Sequence, residues 1–207
     1  MKRAAVAKPA SALRSRLTNT TRQVIVDALV AQLAERDVLD ISYAELARRA
    51  GVSIQTLYRH YPTRADLHDA LTRRVGAALA ISDYPQTREG VVALVRALFP
   101  RFDANAQLLV AQIHAGAGGE SRAKGRKRRG NAFQVVLASA VPTVPAERRR
   151  AAAGVMNLLV SVNTWYRLRD ELGLDGAAIG DIAAWAVDAL WRALEIDDER
   201  ARRGRGG

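Results

Sequence analysis

The stretch GVSIQTLYRHYPTRADL, residues 51–67, holds a dense set of hydrogen-bonding side chains. Gln55 can make two hydrogen bonds to an adenine edge, and Thr56 can bond a phosphate or touch a thymine methyl group. Arg59 can donate hydrogen bonds to guanine or to phosphate. The further candidates for donors to phosphate oxygens are Tyr58 and His60. These residue types suit the recognition of a nucleic acid, and the competing interpretation is an ordinary polar helix between two turns.

Catalysis has little support in the same residues. The chain has only three histidines, and two of them, His60 and His68, belong to this region. No His-Glu-x-x-His, Gly-x-Ser-x-Gly or Gly-rich phosphate-loop motif is present. The acidic runs at 170–171 and 197–199 are typical of charges on helix surfaces. The sequence therefore predicts a protein that is not an enzyme and has no cofactor and no metal site.

Charge and composition agree with a nucleic-acid partner. The 207 residues carry a net charge of +11, and a chain this basic usually meets a polyanion. An arginine-rich composition of other origin remains the alternative. No cysteine is present, which excludes disulfides and cysteine-ligated zinc. No apolar run reaches the roughly 18 residues of a membrane helix, and the basic N-terminus lacks the apolar core of a secretory signal. We expect a cytoplasmic protein with no membrane partner.

Helix-start signals divide the first 80 residues into short helices. Thr20-x-x-Gln23 predicts a helix over about 20–36. Three further starts follow, at Ser42, Ser53 and Thr63, and Pro62 ends the third helix. The resulting order is helix, helix, tight turn, helix, helix. Gly51-Val52-Ser53 forms the tight turn, and so short a glycine turn is typical of helix-turn-helix geometry.

In that geometry the helix over about 54–60 is the one that enters the major groove. Arg64 lies in the first turn of the next helix, where a cation opposes the helix dipole and a phosphate would explain its position. We assign Gln55, Thr56 and Arg59 to base edges. The full set of candidate DNA contacts is Ser42, Tyr43, Ser53, Gln55, Thr56, Tyr58, Arg59, His60 and Arg64.

The run ISYAELARRAGVSIQTLYRHYPTRADLHDAL, residues 41–71, resembles the N-terminal DNA-binding domain of the tetracycline-repressor (TetR) family. The likeness covers about residues 20–70. It implies that Thr56, Tyr58 and His60 contact DNA, mostly its backbone. Three positions depart from the family: Arg64 replaces a phosphate-binding lysine, Tyr61 replaces a phenylalanine, and Ala44 stands where some members carry a base-reading polar side chain.

The rest of the chain has the layout of that family's variable domain. We predict an all-α fold with a basic disordered tail over 1–17, the DNA-binding domain over 18–80, an effector-binding and dimerisation domain over 84–198, and a disordered tail over 199–207. A long helix over about 145–172 should end at Gly173, and a last helix should run over about 175–195. The basic cluster 122–129 is expected in a solvated loop, with contact to nucleic acid or an acidic ligand as the alternative.

The resemblance implies a homodimer formed by the last two helices. The apolar stripe predicted to meet the partner consists of Ile179, Ile182, Ala183, Ala186, Val187, Leu190 and Leu194. The alternative is that this stripe packs in the protomer's own core. Candidates for an effector pocket, each equally explicable as core, are Phe102, Ile113, His114, Phe133, Met156, Asn163, Trp165 and Tyr166.

The leading hypothesis is a homodimeric transcriptional regulator, most simply a repressor, that binds a double-stranded DNA operator and is released by an unknown small-molecule effector. Release by a ligand is the family's mechanism rather than a property of these residues. The alternative is an architectural protein that binds all DNA sequences equally with a steep salt dependence. A helical domain of about a hundred residues beyond the DNA-binding domain argues against an architectural protein, because compaction of DNA needs no such domain.

Overall fold

The computed structural model describes residues 9–35, 42–79, 84–115 and 120–204, and all regular structure in these ranges is α-helical. The helices described are α1 (Pro9–Ala34), α2 (Tyr43–Arg49), α3 (Ile54–His60), α4 (Arg64–Ala78), α5 (Arg88–Ala104), α6 (Ala106–His114), α7 (Glu120–Ala140), α8 (Ala146–Leu159), α9 (Val162–Leu172) and α10 (Gly176–Arg203). The prediction of an all-α fold is confirmed. None of these helices is both long and apolar enough to cross a bilayer.

Side-chain caps set the starts of the three short helices. The hydroxyls of Ser42, Ser53 and Thr63 each accept a hydrogen bond from a backbone N–H three residues later, which satisfies a donor that the first turn leaves open. At α4 the cap is reciprocal, because Asp66 also accepts from the Thr63 backbone N–H at 2.9 Å. The predicted starts of α2, α3 and α4 are confirmed.

The turn between α2 and α3 depends on Gly51, whose φ of 64° lies in the left-handed region. The N–H of Val52 donates to the Ala47 carbonyl at 3.0 Å, and the N–H of Gly51 donates to the Arg48 carbonyl at 3.2 Å. These two bonds make a Schellman ending for α2. The chain therefore reverses within three residues and sets α3 across α2, as the helix-turn-helix prediction requires.

The N-terminal helices share one apolar core. Its fully buried leucines and isoleucine come from α1, α2, α3 and α4: Ile25, Leu29, Leu33, Leu46, Leu57, Leu67 and Leu71. An ion pair between Asp27 and Arg74 joins α1 to α4 at the surface, and another between Glu35 and Arg49, at 2.8 Å, joins the end of α1 to α2. The orientation of α3 is thus fixed by packing from three neighbouring helices.

Two helices contribute to both halves of the molecule. In α4, Leu71 lies in the N-terminal core and Val75 in the C-terminal core. In α6, Ala111 lies in the N-terminal core and Leu109 in the C-terminal one. His114 Nδ1 lies 2.8 Å from the Leu33 carbonyl oxygen, at the end of α1. The two cores are therefore joined through packed helices rather than through a linker alone.

The C-terminal half is organised by close packing of α10 on α5. A Cβ added at Gly180 would lie 2.6 Å from the Arg96 carbonyl oxygen, so only glycine allows this approach. The Asp103 carboxylate caps the arrangement, because it accepts from the Trp165 indole N–H at 2.7 Å and from the Gly176 backbone N–H at 2.5 Å. This one side chain links α5, α9 and the start of α10.

Helix α1 begins at Pro9, not at about Thr20, so residues 9–17, expected in a disordered tail, are helical. The Thr20 hydroxyl does not cap a helix; it donates to the Arg16 carbonyl at 3.0 Å inside α1. A threonine hydroxyl makes such a bond within a helix as readily as it caps one, so the Thr20-x-x-Gln23 pattern was ambiguous. Residues 1–8 lie outside the described ranges.

The predicted long helix over 145–172 is wrong, since it is two helices, α8 and α9. Val160 has φ −91° and ψ 55°, outside helical values. The Ser161 hydroxyl then caps α9 by accepting from the Thr164 N–H at 3.1 Å, and the Thr164 hydroxyl donates to the Leu158 carbonyl at 2.7 Å. These local bonds replace the helical ones at the break. Gly173, with φ 66°, ends α9 as predicted.

Two further bounds differ from the predictions. The basic cluster 122–129 lies inside α7 rather than in a loop. Helix α10 continues to Arg203 instead of ending at about residue 195, so residues 199–203 are helical. Asp198 explains part of the extension, because the buried carboxylate accepts from the Thr143 N–H at 2.7 Å and hydroxyl at 2.6 Å. Residues 205–207 lie outside the described ranges.

Candidate nucleic-acid interface

Helix α3 is attached to the protein by one side chain and presents the others outward. Leu57 is its only buried residue. Gln55 and Arg59 are exposed, Tyr58 is 48% exposed, and Thr56 and His60 are half-buried. The predicted base-reading and phosphate-binding side chains therefore share the outer surface of a single short helix.

Tyr58 is held in place by α2. Its ring stacks on that of Tyr43, with the ring centroids 4.7 Å apart and the planes 18° from parallel. The Tyr43 hydroxyl in turn donates to the Tyr61 carbonyl at 3.4 Å. Stacking leaves the Tyr58 hydroxyl at the surface while limiting where the ring can go. Tyr43 thus acts as a support for Tyr58.

Ser53 and Ser42 are engaged as helix caps. The Ser53 hydroxyl accepts from the Thr56 N–H at 3.1 Å and donates to the Thr56 hydroxyl at 3.0 Å. Ser42 accepts from the Glu45 N–H at 3.3 Å. The first role of both serines in this structure is to set the start of a helix.

The negative charge near α3 is neutralised within the domain. Glu45 accepts hydrogen bonds from Arg48 at 2.6 Å and from Arg49 at 2.7 Å. These bonds lower the pKa of Glu45 to about 2, so its carboxylate stays ionised and paired. Arg59 on α3 and Arg64 at the start of α4 are both exposed.

The structure adds Arg22 to the candidate DNA contacts. Burial first, and then the charges of Arg59 and Arg22, hold the pKa of His60 below its ordinary value. Arg22 is exposed on α1, and the Tyr61 hydroxyl donates to its carbonyl at 3.5 Å. Arg22 lies about forty residues before the end of α3 in the chain, so no local sequence pattern could predict that it is close to His60. A surface of three arginines from three helices results: Arg22, Arg59 and Arg64.

Two positions at which the sequence departs from the family have distinct surroundings. Tyr61 is 5% exposed and packs in the N-terminal core, so it anchors the end of α3 instead of facing a ligand. Ala44 is exposed on α2 and offers only a methyl group. Arg64 is the first residue of α4, one position after the Thr63 cap. Arg64 is therefore in the first turn of α4, the position predicted for a phosphate contact.

The effector-pocket candidates do not form one site. Phe102, Met156 and Trp165 are fully buried in the C-terminal core, Ile113 and His114 are half-buried near α1, and Asn163 is exposed. Phe133 lines an enclosed apolar cavity, and Tyr166 lines an open cleft at the surface with Arg169. The enclosed cavity is lined by Tyr84, Pro85, Val91, Leu94, Val95, Leu98, Arg129, Ala132, Phe133, Val136 and Val160.

The predicted partner-facing stripe on α10 is divided between two surfaces. Ile179, Ala183, Val187 and Leu194 are buried in the protomer's own core, because α5 occupies that side of α10. Ala186 and Leu190 are half-buried, and Ile182 is 47% exposed. The outward face of α10 carries apolar side chains three or four residues apart: Ile182, Trp185, Ala189, Ala193 and Ile196. Sequence periodicity selected the wider buried stripe and missed Trp185.

Residues 25–71 match the model of a family described as bacterial regulatory proteins, tetR family. The chain is also similar to two solved structures from Rhodococcus sp. RHA1. One, a TetR-like transcriptional regulator, is 20% identical with a TM-score of 0.51, and the likeness covers 90% of this chain and 96% of that one. The other, a transcriptional regulator, is 19% identical with a TM-score of 0.53, and the likeness covers 88% of this chain and 96% of that one. No curated protein matches the sequence.

Proposed function

We propose that this chain is a homodimeric transcriptional repressor of the tetR family that a small molecule releases from its operator. The match of residues 25–71 to the model of that family supports the DNA-binding part of the proposal. The observation that carries DNA reading is α3, which buries only Leu57 and presents Gln55, Tyr58 and Arg59 outward. Gln55 and Arg59 read base edges, with Thr56 beside them. Tyr58, His60, Arg64 and Arg22 bind phosphates and fix the register on the duplex.

The proposed dimer uses α8 and α10. Helix α8 exposes apolar or small side chains at Ala151, Gly154, Val155 and Leu158, which complement the outward face of α10. Val155 is 49% exposed, Leu158 67% and Trp185 70%. Apolar surface of this kind is characteristic of an interface. A symmetric pair of α8 and α10 would form a four-helix bundle, and would place the two α3 helices on half-sites roughly 34 Å apart.

Release would pass through α4 and α6. Both helices contribute residues to both cores, so a ligand that shifts α6 in the C-terminal half also moves the packing under α1 and α4. The ligand then favours the protein state whose two α3 helices no longer match the half-sites, which is a coupling free energy between the two sites. The bond of His114 to the Leu33 carbonyl lies on this route.

Fluorescence anisotropy tests sequence-specific DNA binding directly. The full-length protein is titrated into labelled duplex from the DNA that flanks its own gene, and into a scrambled duplex of the same composition, at several salt concentrations. Specific repression requires at least about a thousandfold preference for the flanking duplex. Equal affinity for both, with a steep dependence on salt, would instead support the architectural alternative.

A further inference from the structure

The N-terminal part of α1 extends beyond the core that holds the rest of the helix. The helix begins at Pro9, yet Ile25 is the first of its described side chains to be buried, and those of residues 15–24 are exposed or half-buried. We call residues 15–22 the α1 arm, which is about 12 Å long at a rise of about 1.5 Å per residue. Most of the stability of a helix in a protein comes from packing of one face, and the arm has little core beneath it.

One face of α1 changes from apolar to polar at the edge of the core. Positions three or four residues apart lie on the same face of a helix. Leu29 and Ile25 are packed in the N-terminal core, and their face continues through Arg22, Thr18 and Ser15. Arg22 and Ser15 are exposed, and Thr18 is half-buried. Arginine guanidinium groups and serine or threonine hydroxyls are common donors to the phosphate oxygens of DNA.

The α1 arm begins beside the C-terminal end of α3. The Tyr61 hydroxyl donates to the Arg22 carbonyl at 3.5 Å, and the charge of Arg22 contributes to the lowered pKa of His60. From Arg22 the arm continues away from the buried part of α1. It therefore extends the proposed DNA surface, to which Arg22 already belongs, past the edge of the N-terminal core.

The charge of this part of the chain suits a polyanion. Residues 1–26 contain six lysines and arginines and no aspartate or glutamate. The first acid in the chain is Asp27, and its carboxylate is paired with Arg74 of α4. Arg16 and Arg22 thus have no acid within one helical turn on α1. An exposed surface of one sign attracts a partner of the opposite sign, so the charge favours DNA over a second copy of this basic chain.

We propose that the α1 arm lies along the sugar-phosphate backbone next to the base pairs that α3 reads, and that Ser15, Thr18 and Arg22 bind its phosphates. The arm lengthens the contact with DNA and adds affinity without selecting a sequence, because phosphates are the same at every base pair. The proposal rests on the proposed function for the statement that α3 meets DNA, and it adds a second element to the interface.

Charges introduced at Ser15 test the arm in the full-length protein. Ser15→Lys should strengthen DNA binding about three- to tenfold and steepen the slope of log affinity against log salt by about 0.9, the value for one neutralised phosphate. Ser15→Glu should weaken binding by about tenfold, since it sets an anion against the phosphates. Both effects should be equal on the flanking duplex and on the scrambled duplex. Anisotropy over a series of salt concentrations measures the affinities and the slopes.

Thr20 provides the matched control, because it is exposed on the opposite face of the same arm. Thr20→Lys and Thr20→Glu make the same changes of charge about one helix diameter, roughly 10 Å, from the proposed contact. That distance is about one Debye length at 0.1 M salt, so each control should change the affinity less than about threefold. Circular dichroism should show the same helical content in all four variants.

Equal effects at Ser15 and Thr20, or effects of the same sign for Ser15→Lys and Ser15→Glu, would overturn the proposal. A change of oligomeric mass in the Ser15 variants, measured by light scattering, would assign this face to a second copy of the chain and overturn it as well. A wild-type preference for the flanking duplex without an effect of the Ser15 charges removes only the arm. Equal wild-type affinity for both duplexes, with opposite effects of the two Ser15 charges, removes the proposed repressor and supports the arm.

Discussion

At the scale of single residues, the proposed function divides the exposed side chains on and beside α3 into those predicted to read bases and those predicted to bind phosphate. Gln55 is exposed and can form two hydrogen bonds with adenine, whereas Arg64 is the first residue of α4 and is predicted to bind a phosphate of the DNA backbone. The two groups differ in a measurable way. A base contact discriminates between sequences, and a phosphate contact contributes equally to all of them.

Gln55→Ala is therefore expected to weaken binding to the flanking duplex by about 1–3 kcal/mol and to leave binding to scrambled DNA nearly unchanged. Arg64→Gln should weaken both and lower the slope of log affinity against log salt by about 1. Anisotropy over a series of salt concentrations measures both quantities. A Gln55 variant that loses affinity equally for both duplexes would remove Gln55 from the base-reading set.

His60 is predicted to make DNA binding at the proposed interface depend on pH. Burial and the charges of Arg59 and Arg22 lower its pKa in the free protein, which favours the neutral ring. A phosphate next to the ring raises that pKa, because an opposite charge favours the protonated form. The pKa in the complex is then above the pKa in the free protein, binding takes up a proton, and affinity rises as pH falls through the window between the two values.

We expect affinity for the flanking duplex to increase between about pH 8 and pH 6, within the range where histidine titrates. His60→Gln should flatten this dependence while retaining a neutral donor. Comparing the DNA affinities of the wild type and the His60→Gln variant at each pH removes the contributions of other titratable groups. A variant with the full pH dependence of the wild type would show that His60 is not beside a phosphate.

At the scale of elements, the helix-turn-helix is the part most completely predictable from sequence. The bounds of α2, α3 and α4 follow from hydroxyl caps and a glycine turn, whose interactions span at most five residues. The break at Val160 depends on a local competition between helical bonds and the Ser161 and Thr164 hydroxyls, which periodicity does not reveal. Arg22 acquires its surroundings from distant helices, so no spacing rule could have identified it.

The tight turn can be tested through Gly51. A Cβ there would meet no atom within 4 Å, so the effect of Gly51→Ala is confined to the backbone, which adopts φ 64°. The left-handed conformation disfavours alanine by about 1–2 kcal/mol. Gly76→Ala is the matched control, since Gly76 is exposed inside α4 with equally open space around it. There alanine should raise the free energy of unfolding by about 0.5–1 kcal/mol.

Urea denaturation followed by circular dichroism measures both changes as shifts of the midpoint in opposite directions. Because the Schellman turn sets α3 across α2, the Gly51 variant should also lose affinity for the flanking duplex. Shifts of the same sign in the two variants would contradict the role of positive φ in this turn.

At the scale of the whole molecule, the function requires that two distant surfaces work together. The proposed DNA face comes from α1, α3 and α4, and the exposed apolar faces of α8 and α10 lie in the other half of the chain. Residues of α4 and α6 in both cores connect these halves. A protomer alone carries one α3 helix, so its affinity for a two-half-site operator is limited unless a second copy holds the other helix at the matching distance.

Trp185 provides the test of that arrangement. It is 70% exposed in the protomer, which is a large apolar area for a residue with no structural task there. Aromatic side chains of this kind dominate interface free energies, so Trp185→Glu should weaken the dimer by at least about 2 kcal/mol, or roughly thirtyfold. Light scattering on a size-exclusion column, over a range of loading concentrations, measures the masses of wild type and variant. Val24→Glu, which places the same charge on an exposed aliphatic position of α1, is the control.

The expected result is a dimer for the wild type and the Val24 variant, and a monomer at low concentration for the Trp185 variant, each with unchanged helical content. Operator affinity should fall with the dimer, because the second half-site is then bound as a separate event, whereas affinity for a single half-site should remain. If the Trp185 variant stays dimeric, the partner contacts another face of the molecule. If the Trp185 variant becomes monomeric and keeps its full affinity for the operator, the distance between the two α3 helices of a dimer does not determine which DNA site is bound.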